Sequence, residues 1–100
     1  MRIIMSLKDA YKKKAEAELE LAQAHVAEFK AKVKSFTADT HLTYTEQVDH
    51  LEKAVADARH KLKELGEAGE DVWEKLKDGV ENALRALSTS LREIADKLKN

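Results

Sequence analysis

The side chains best equipped for chemistry are four histidines, His25, His41, His50 and His60. Two of them stand four residues from a glutamate, as Glu46–His50 and His60–Glu64, a spacing that sets both partners on one face of a helix. An imidazole beside a carboxylate is the beginning of a metal site. A catalytic zinc, however, needs three protein ligands in a dry setting with one position open. Neither pair has a third ligand nearby in sequence, and both fall mainly on the polar side of the helical pattern. They read as surface histidines, with no metal and no cofactor expected. Ser35, Ser88 and Ser90 stand in no recognisable nucleophile setting, and glycine loops that would cradle a phosphate are missing. The paired carboxylates have the spacing of helix-surface ion pairs. An enzyme is not expected.

Two further groups invite a binding role. Lys8, Lys12, Lys13 and Lys14 form a basic cluster near the start of the chain. Nucleic-acid binding asks for a more basic domain and for stacking aromatics. Tyr11 alone does not supply these, and the chain carries a net charge of -1, so no nucleic-acid partner is expected. A solvated helix end is the simpler reading. Contact with a membrane surface is the runner-up, because Ile3, Ile4, Met5 and Leu7 beside lysines suit anionic headgroups. Trp73 lies in the apolar stripe one turn after a glycine loop, which makes it a core plug rather than a binding-site aromatic.

Composition places these residues on helices. The 100 residues contain no proline and only three glycines, with 37% charged and 43% hydrophobic side chains. That is the composition of helical bundles and coiled coils, and it fits one all-α domain. No cysteine is present, which removes disulfides and thiolate chemistry and agrees with a cytoplasmic protein. No apolar run approaches the ~20 residues needed to span a bilayer, and the opening residues fall short of a signal-peptide core. Residues 1–5 read as a disordered or upstream extension, with Met5 as an alternative start. Ser6 then serves as an N-cap, with Asp9 three residues on.

An apolar or small stripe runs through Leu7, Tyr11, Ala15, Leu19, Ala22, Val26, Phe29, Val33 and Phe36. It continues through Thr40, Tyr44, Val48, Leu51, Val55, Ala58, Leu62 and Leu65. The steps average about 3.6 residues, the repeat of a straight α-helix rather than of a supercoiled heptad. The stripe keeps its phase through Ser35–Gln47, "SFTADTHLTYTEQ", which holds no proline or glycine. Serine and threonine cost only about 0.5 kcal/mol each against alanine in a helix. The reading is therefore one long helix over 6–65, with a hinge at 35–47 as the alternative. Asp39, Thr40 and Thr43 are the candidate N-caps for that alternative. Gly66 then reads as a left-handed C-cap opening a 66–69 loop. A return helix over 70–99 starts with Glu70 and Asp71 and carries Trp73, Leu76, Val80, Leu84, Leu87, Leu91, Ile94 and Leu98 on one face. Gly79 lies inside it, as a weak point or a point of close approach. Acid-to-base pairs such as Glu28–Lys32, Asp57–Lys61 and Glu81–Arg85 support both helices.

A helix over 6–65 is about 90 Å long and one over 70–99 about 45 Å. The shorter one covers half of the longer, leaving Leu19, Val26, Phe29 and Val33 to face water unless a second chain covers them. An antiparallel homodimer with three helices in every section satisfies this. It also sets residues 1–35, with a balance of +3, against residues 36–69, with a balance of -3. If Ser35–Gln47 turns, the same contacts close within one chain as a monomeric three-helix bundle, and the dimer is its domain-swapped counterpart. The expected self-association stripe is Leu19, Val26, Phe29, Val33, Phe36, Tyr44, Val48, Leu51, Val55, Leu62, Leu65, Trp73, Leu76, Val80, Leu87, Leu91 and Ile94.

"MSLKDAY" at Met5–Tyr11, "YTEQVDHLEKAVADARHKLKEL" at Tyr44–Leu65 and "GEDVWEKLKDGVENA" at Gly69–Ala83 resemble a group of small bacterial coiled-coil domain proteins. Some, from cyanobacteria, are described as stress-response proteins, and they look broadly like the apolipoprotein-type amphipathic repeat. The resemblance implies a long helix followed by a shorter one, with no established activity and no functional residues to carry over. Two functions are expected from these observations. The first is a non-enzymatic, self-associating coiled-coil scaffold or adaptor with a stress-related role. The second is a reversible amphipathic-helix binder of lipid surfaces.

Overall fold

A computed structural model describes residues 7–99, and the side chains of residues 7–97. The expectations placed on Ile3, Ile4, Met5, Ser6 and the 1–5 extension, and on the Leu98 side chain, lie outside the described residues. Three helices follow one another: α1 (Leu7–Lys34), α2 (Ala38–Glu67) and α3 (Trp73–Lys99). They run up, down and up in a bundle whose Cα atoms extend 58 × 26 × 18 Å. The chain is all-α, with three helices in section, and each helix packs on the other two.

The single long helix is divided. α1 closes at Ser35 and Phe36, whose N–H groups donate to the carbonyls of Lys32 (3.0 Å) and Val33 (3.1 Å) in tight three-residue turns. The Ser35 hydroxyl also donates to the Lys32 carbonyl at 2.7 Å. Thr37 is extended (φ -63°, ψ 163°), and its carbonyl accepts the first bond of α2 from the His41 N–H at 2.7 Å. The break occupies three residues, 35–37. Asp39, Thr40 and Thr43, the candidate caps, lie inside α2. Thr43 and Thr45 instead donate back to the carbonyls of Asp39 (3.1 Å) and His41 (2.7 Å), as hydroxyls in helices do.

Burial explains the turn. Helix propensity at Ser35, Phe36 and Thr37 differs from that of alanine by only about 0.5 kcal/mol per residue, whereas each large apolar side chain moved from water into a core gains about 1.5–3 kcal/mol. Turning at 35–37 lays the apolar half of α1 on the chain's own α2 and α3, and Leu19, Val26, Phe29 and Val33 all become buried. Three aromatic rings secure the corner. Tyr44 meets Phe29 edge-on at 5.8 Å between centroids and Phe36 at 5.5 Å. The overhang that required a second chain is thus covered from within.

The second connection also differs from expectation. α2 continues through Gly66 to Glu67, its C-cap is Ala68 in an extended conformation (φ -75°, ψ 150°), and no described glycine has a positive φ. The connection is therefore 68–72 rather than 66–69. Glu70 and Asp71 belong to it, and α3 starts at Trp73. Gly69 accepts from the N–H groups of Val72 (3.0 Å) and Trp73 (3.1 Å).

The core contains Ala15, Leu19, Val26, Phe29 and Val33 from α1 and Val48, Leu51, Val55, Ala58, Leu62 and Leu65 from α2. Trp73, Val80, Leu87 and Ile94 join them from α3, with Phe36, Tyr44, Leu76 and Leu91 packed against these at partial exposure. The stripe thus closes an intramolecular core. Among the described apolar residues of the stripe, Leu7 is the exception, at 76% exposure.

Candidate functional site

The acidic and basic side chains are almost all on the surface, and among the described residues no buried polar or charged residue occurs. Among the same residues no three His, Asp or Glu side chains gather as metal ligands would. His60 and Glu64 approach to 3.6 Å on an exposed face, and His25, His41 and His50 lie apart along α1 and α2. Asp57 and Lys61 pair at 3.3 Å as their spacing predicts, and Lys30 bridges to Glu52 across α1 and α2 at 3.1 Å.

The basic cluster divides by role. The Lys8 ammonium donates to the Ala68 carbonyl at 2.8 Å and to the Gly66 carbonyl at 3.4 Å. α2 has no basic residue in its own last turn, so Lys8 of α1 supplies the positive charge that the negative end of a helix dipole favours. The Lys12 stem crosses the same place, and a Cβ on Gly66 would stand 3.0 Å from its Cε. Two of the four lysines are thus engaged with the end of α2. The lysine–carbonyl cap had no visible signal, because it depends on α1 and α2 meeting at that end.

Tyr11 marks the same end of the bundle on the other side. Its ring lies 6.1 Å from that of Trp73, its hydroxyl donates to the Lys77 carbonyl at 3.4 Å, and the Lys77 ammonium sits 5.4 Å above the ring. Burial, with lesser help from the negative charges of Glu81, Glu18 and Asp78, pushes the phenol up to about 12. Trp73, 6% exposed, is a core plug.

A long concave feature begins beside Tyr11. A groove of about 690 Å³ follows the seam between α1 and α3, with Leu21, Ala22, Leu84 and Leu91 among its apolar walls. It runs on into a second groove of about 480 Å³, sharing His25, Ser88, Leu91 and Arg92 and reaching Phe29 and Ile94. Leu21 stands on the rim at 60% exposure. It falls outside the stripe that the sequence pattern selects, two positions from Leu19. Its signal was a leucine out of phase on a face otherwise made of charged and small residues. Charged side chains of both signs frame the seam.

Compared with known proteins, the chain matches no family model, no curated protein and no solved structure. Its functional reading rests on the bundle's own geometry.

Proposed function

We propose that the protein is a non-enzymatic helical bundle that works by association, presenting helical surface to its own copies and so serving as a scaffold or adaptor. The observation that carries this is the α1–α3 seam. Most of the apolar stripe is enclosed in the core, yet the seam stays open along much of its length with Leu21 on its rim. A groove of mixed charge over an apolar floor suits another helical surface better than a small polar substrate. The test is sedimentation equilibrium across a range of concentrations. A reversible rise in mass from one chain to two supports the reading, and a single-chain mass throughout contradicts it.

A second reading, reversible binding to a lipid surface, draws on α3. Its apolar residues Trp73, Leu76, Val80, Leu87, Leu91 and Ile94 lie along one face, and it joins α2 through the short link at 68–72. Release of α3 would expose that face to a membrane interface. Among the described residues no helix is long and apolar enough to cross a membrane. Co-sedimentation with anionic vesicles, accompanied by loss of the Trp73–Tyr11 contact in fluorescence, is its test.

A further inference from the structure

We infer that the α1–α3 face is a self-complementary surface on which a second copy docks antiparallel, with the two-fold axis passing at Leu21. The inference rests on the self-association reading and gives it a definite interface. On α1 the exposed face of the seam presents Lys14, Leu21 and Glu28, seven residues apart. A two-fold axis at Leu21 brings Leu21 against its own copy, Lys14 against the partner's Glu28, and Glu28 against the partner's Lys14. On α3 the same face presents Glu81, Arg85, Ser88 and Arg92. An axis midway between residues 86 and 87 sets Glu81 against the partner's Arg92, and small Ser88 against the partner's Arg85. Each dimer then has four opposite-charge pairs, which frame an apolar centre at Leu21 on α1 and a polar one at Arg85 and Ser88 on α3.

The two axes were located from charges on separate helices, and they are one axis. They differ by 65 to 66 positions, which is the register of the bundle, since Tyr11 reaches Lys77 and the seam places His25 beside Ser88, Leu91 and Arg92. A two-fold symmetric interface requires that coincidence. The axis also crosses the middle of both helices, because α1 (Leu7–Lys34) and α3 (Trp73–Lys99) are centred near residues 20–21 and 86. The copies therefore overlap along their full length. Neighbouring side chains leave room for close approach: on α1, small Ala17 stands four residues before Leu21 and small Ala24 three after it, so the axis sets Ala17 against the partner's His25 and Ala24 against the partner's Glu18. Glu81 is held only loosely in its own chain, 3.9 Å from Lys77, so it can turn to Arg92 of the other copy. Because the framing pairs are solvent-exposed, added salt weakens the dimer.

Sedimentation equilibrium of wild type, Lys14→Glu, Glu28→Lys and the double variant tests the pairing. Each single reversal sets two like-charge contacts in the dimer and should weaken association on the order of tenfold. The double variant should recover most of it. The chain has no cysteine, so Leu21→Cys should give a disulfide-linked dimer under mild oxidation. Lys14→Cys alone should not, because two copies of residue 14 would lie about 20 Å apart. All these positions are exposed, and circular dichroism verifies that each variant keeps the fold. If the wild type dimerises but the reversals have no effect and Leu21→Cys stays unlinked, this face is wrong while self-association stands. A wild type that remains one chain throughout, or that only pellets with phosphatidylserine vesicles, overturns both.

Discussion

At the residue scale, two side chains near the start of α1 join distant parts of the chain. Lys8 closes the carbonyl end of α2 from another helix. Lys8→Met keeps the stem and removes the charge, and should cost about 0.5–1 kcal/mol of stability. Urea unfolding of the variant checks this; an unchanged midpoint would mean that the contact contributes nothing. Tyr11 makes a second prediction, with its phenol raised from 10.0 to about 12 in the folded chain. Folding therefore favours the neutral phenol. Its contribution is fully present below pH 10 and is lost as pH rises towards 12. In a Tyr44→Phe background the phenolate absorbance of Tyr11 should appear late, near pH 12, and Tyr11→Phe should make stability less sensitive to alkali. A phenol titrating near 10 in the folded protein would contradict the packing described at that end. Neither residue's role was legible in the sequence. A lysine in a basic cluster and a tyrosine on the stripe each acquire their function from a partner about 60 positions away.

At the element scale, the helical pattern was readable because burial follows the helix period. Every apolar residue of the stripe from Leu19 to Ile94 packs in or against the core. The turn at 35–37 was not readable as the favoured outcome. Its residues include neither proline nor glycine, and the stripe crosses it in phase, so local preference is nearly balanced. The choice lies with tertiary burial of α1, which no local window contains. Gly66 misled in the opposite sense, since glycine suggested a stop where the helix continues for another residue. Ala38→Pro provides a direct test of the turn. Ala38 is the first residue of α2, where proline is accepted, and Thr37 before it is already extended, as a residue preceding proline prefers. The variant should melt within about 1 kcal/mol of wild type. If 7–67 were one helix, the same proline would cost about 3 kcal/mol or more and change the particle's length. Gly79 supplies a simpler prediction. A Cβ there would meet nothing within 4 Å, so this glycine is a weak point in α3 rather than a point of close approach. Gly79→Ala should stabilise the protein by up to about 1 kcal/mol, seen as a raised melting temperature.

At the scale of the whole molecule, a chain closed on its own core carries an open seam. The antiparallel dimer expected from a half-covered long helix would have been about 90 Å long. The dimer proposed from the seam pairs two complete bundles side by side about their midpoints. It doubles the mass without lengthening the particle. Candidate functional residues were therefore only partly visible: the core stripe followed the helix period, but Leu21 lay off it, and the charges around it acquire order only once α1 and α3 are adjacent. Small-angle scattering combined with light-scattering mass over a dilution series tests this most directly. The prediction is a one-chain particle that becomes two chains with concentration, while its maximum dimension stays close to the 58 Å bundle length plus its side chains. A two-chain particle about 90 Å long would instead mean that residues 35–37 straighten and the copies exchange helices.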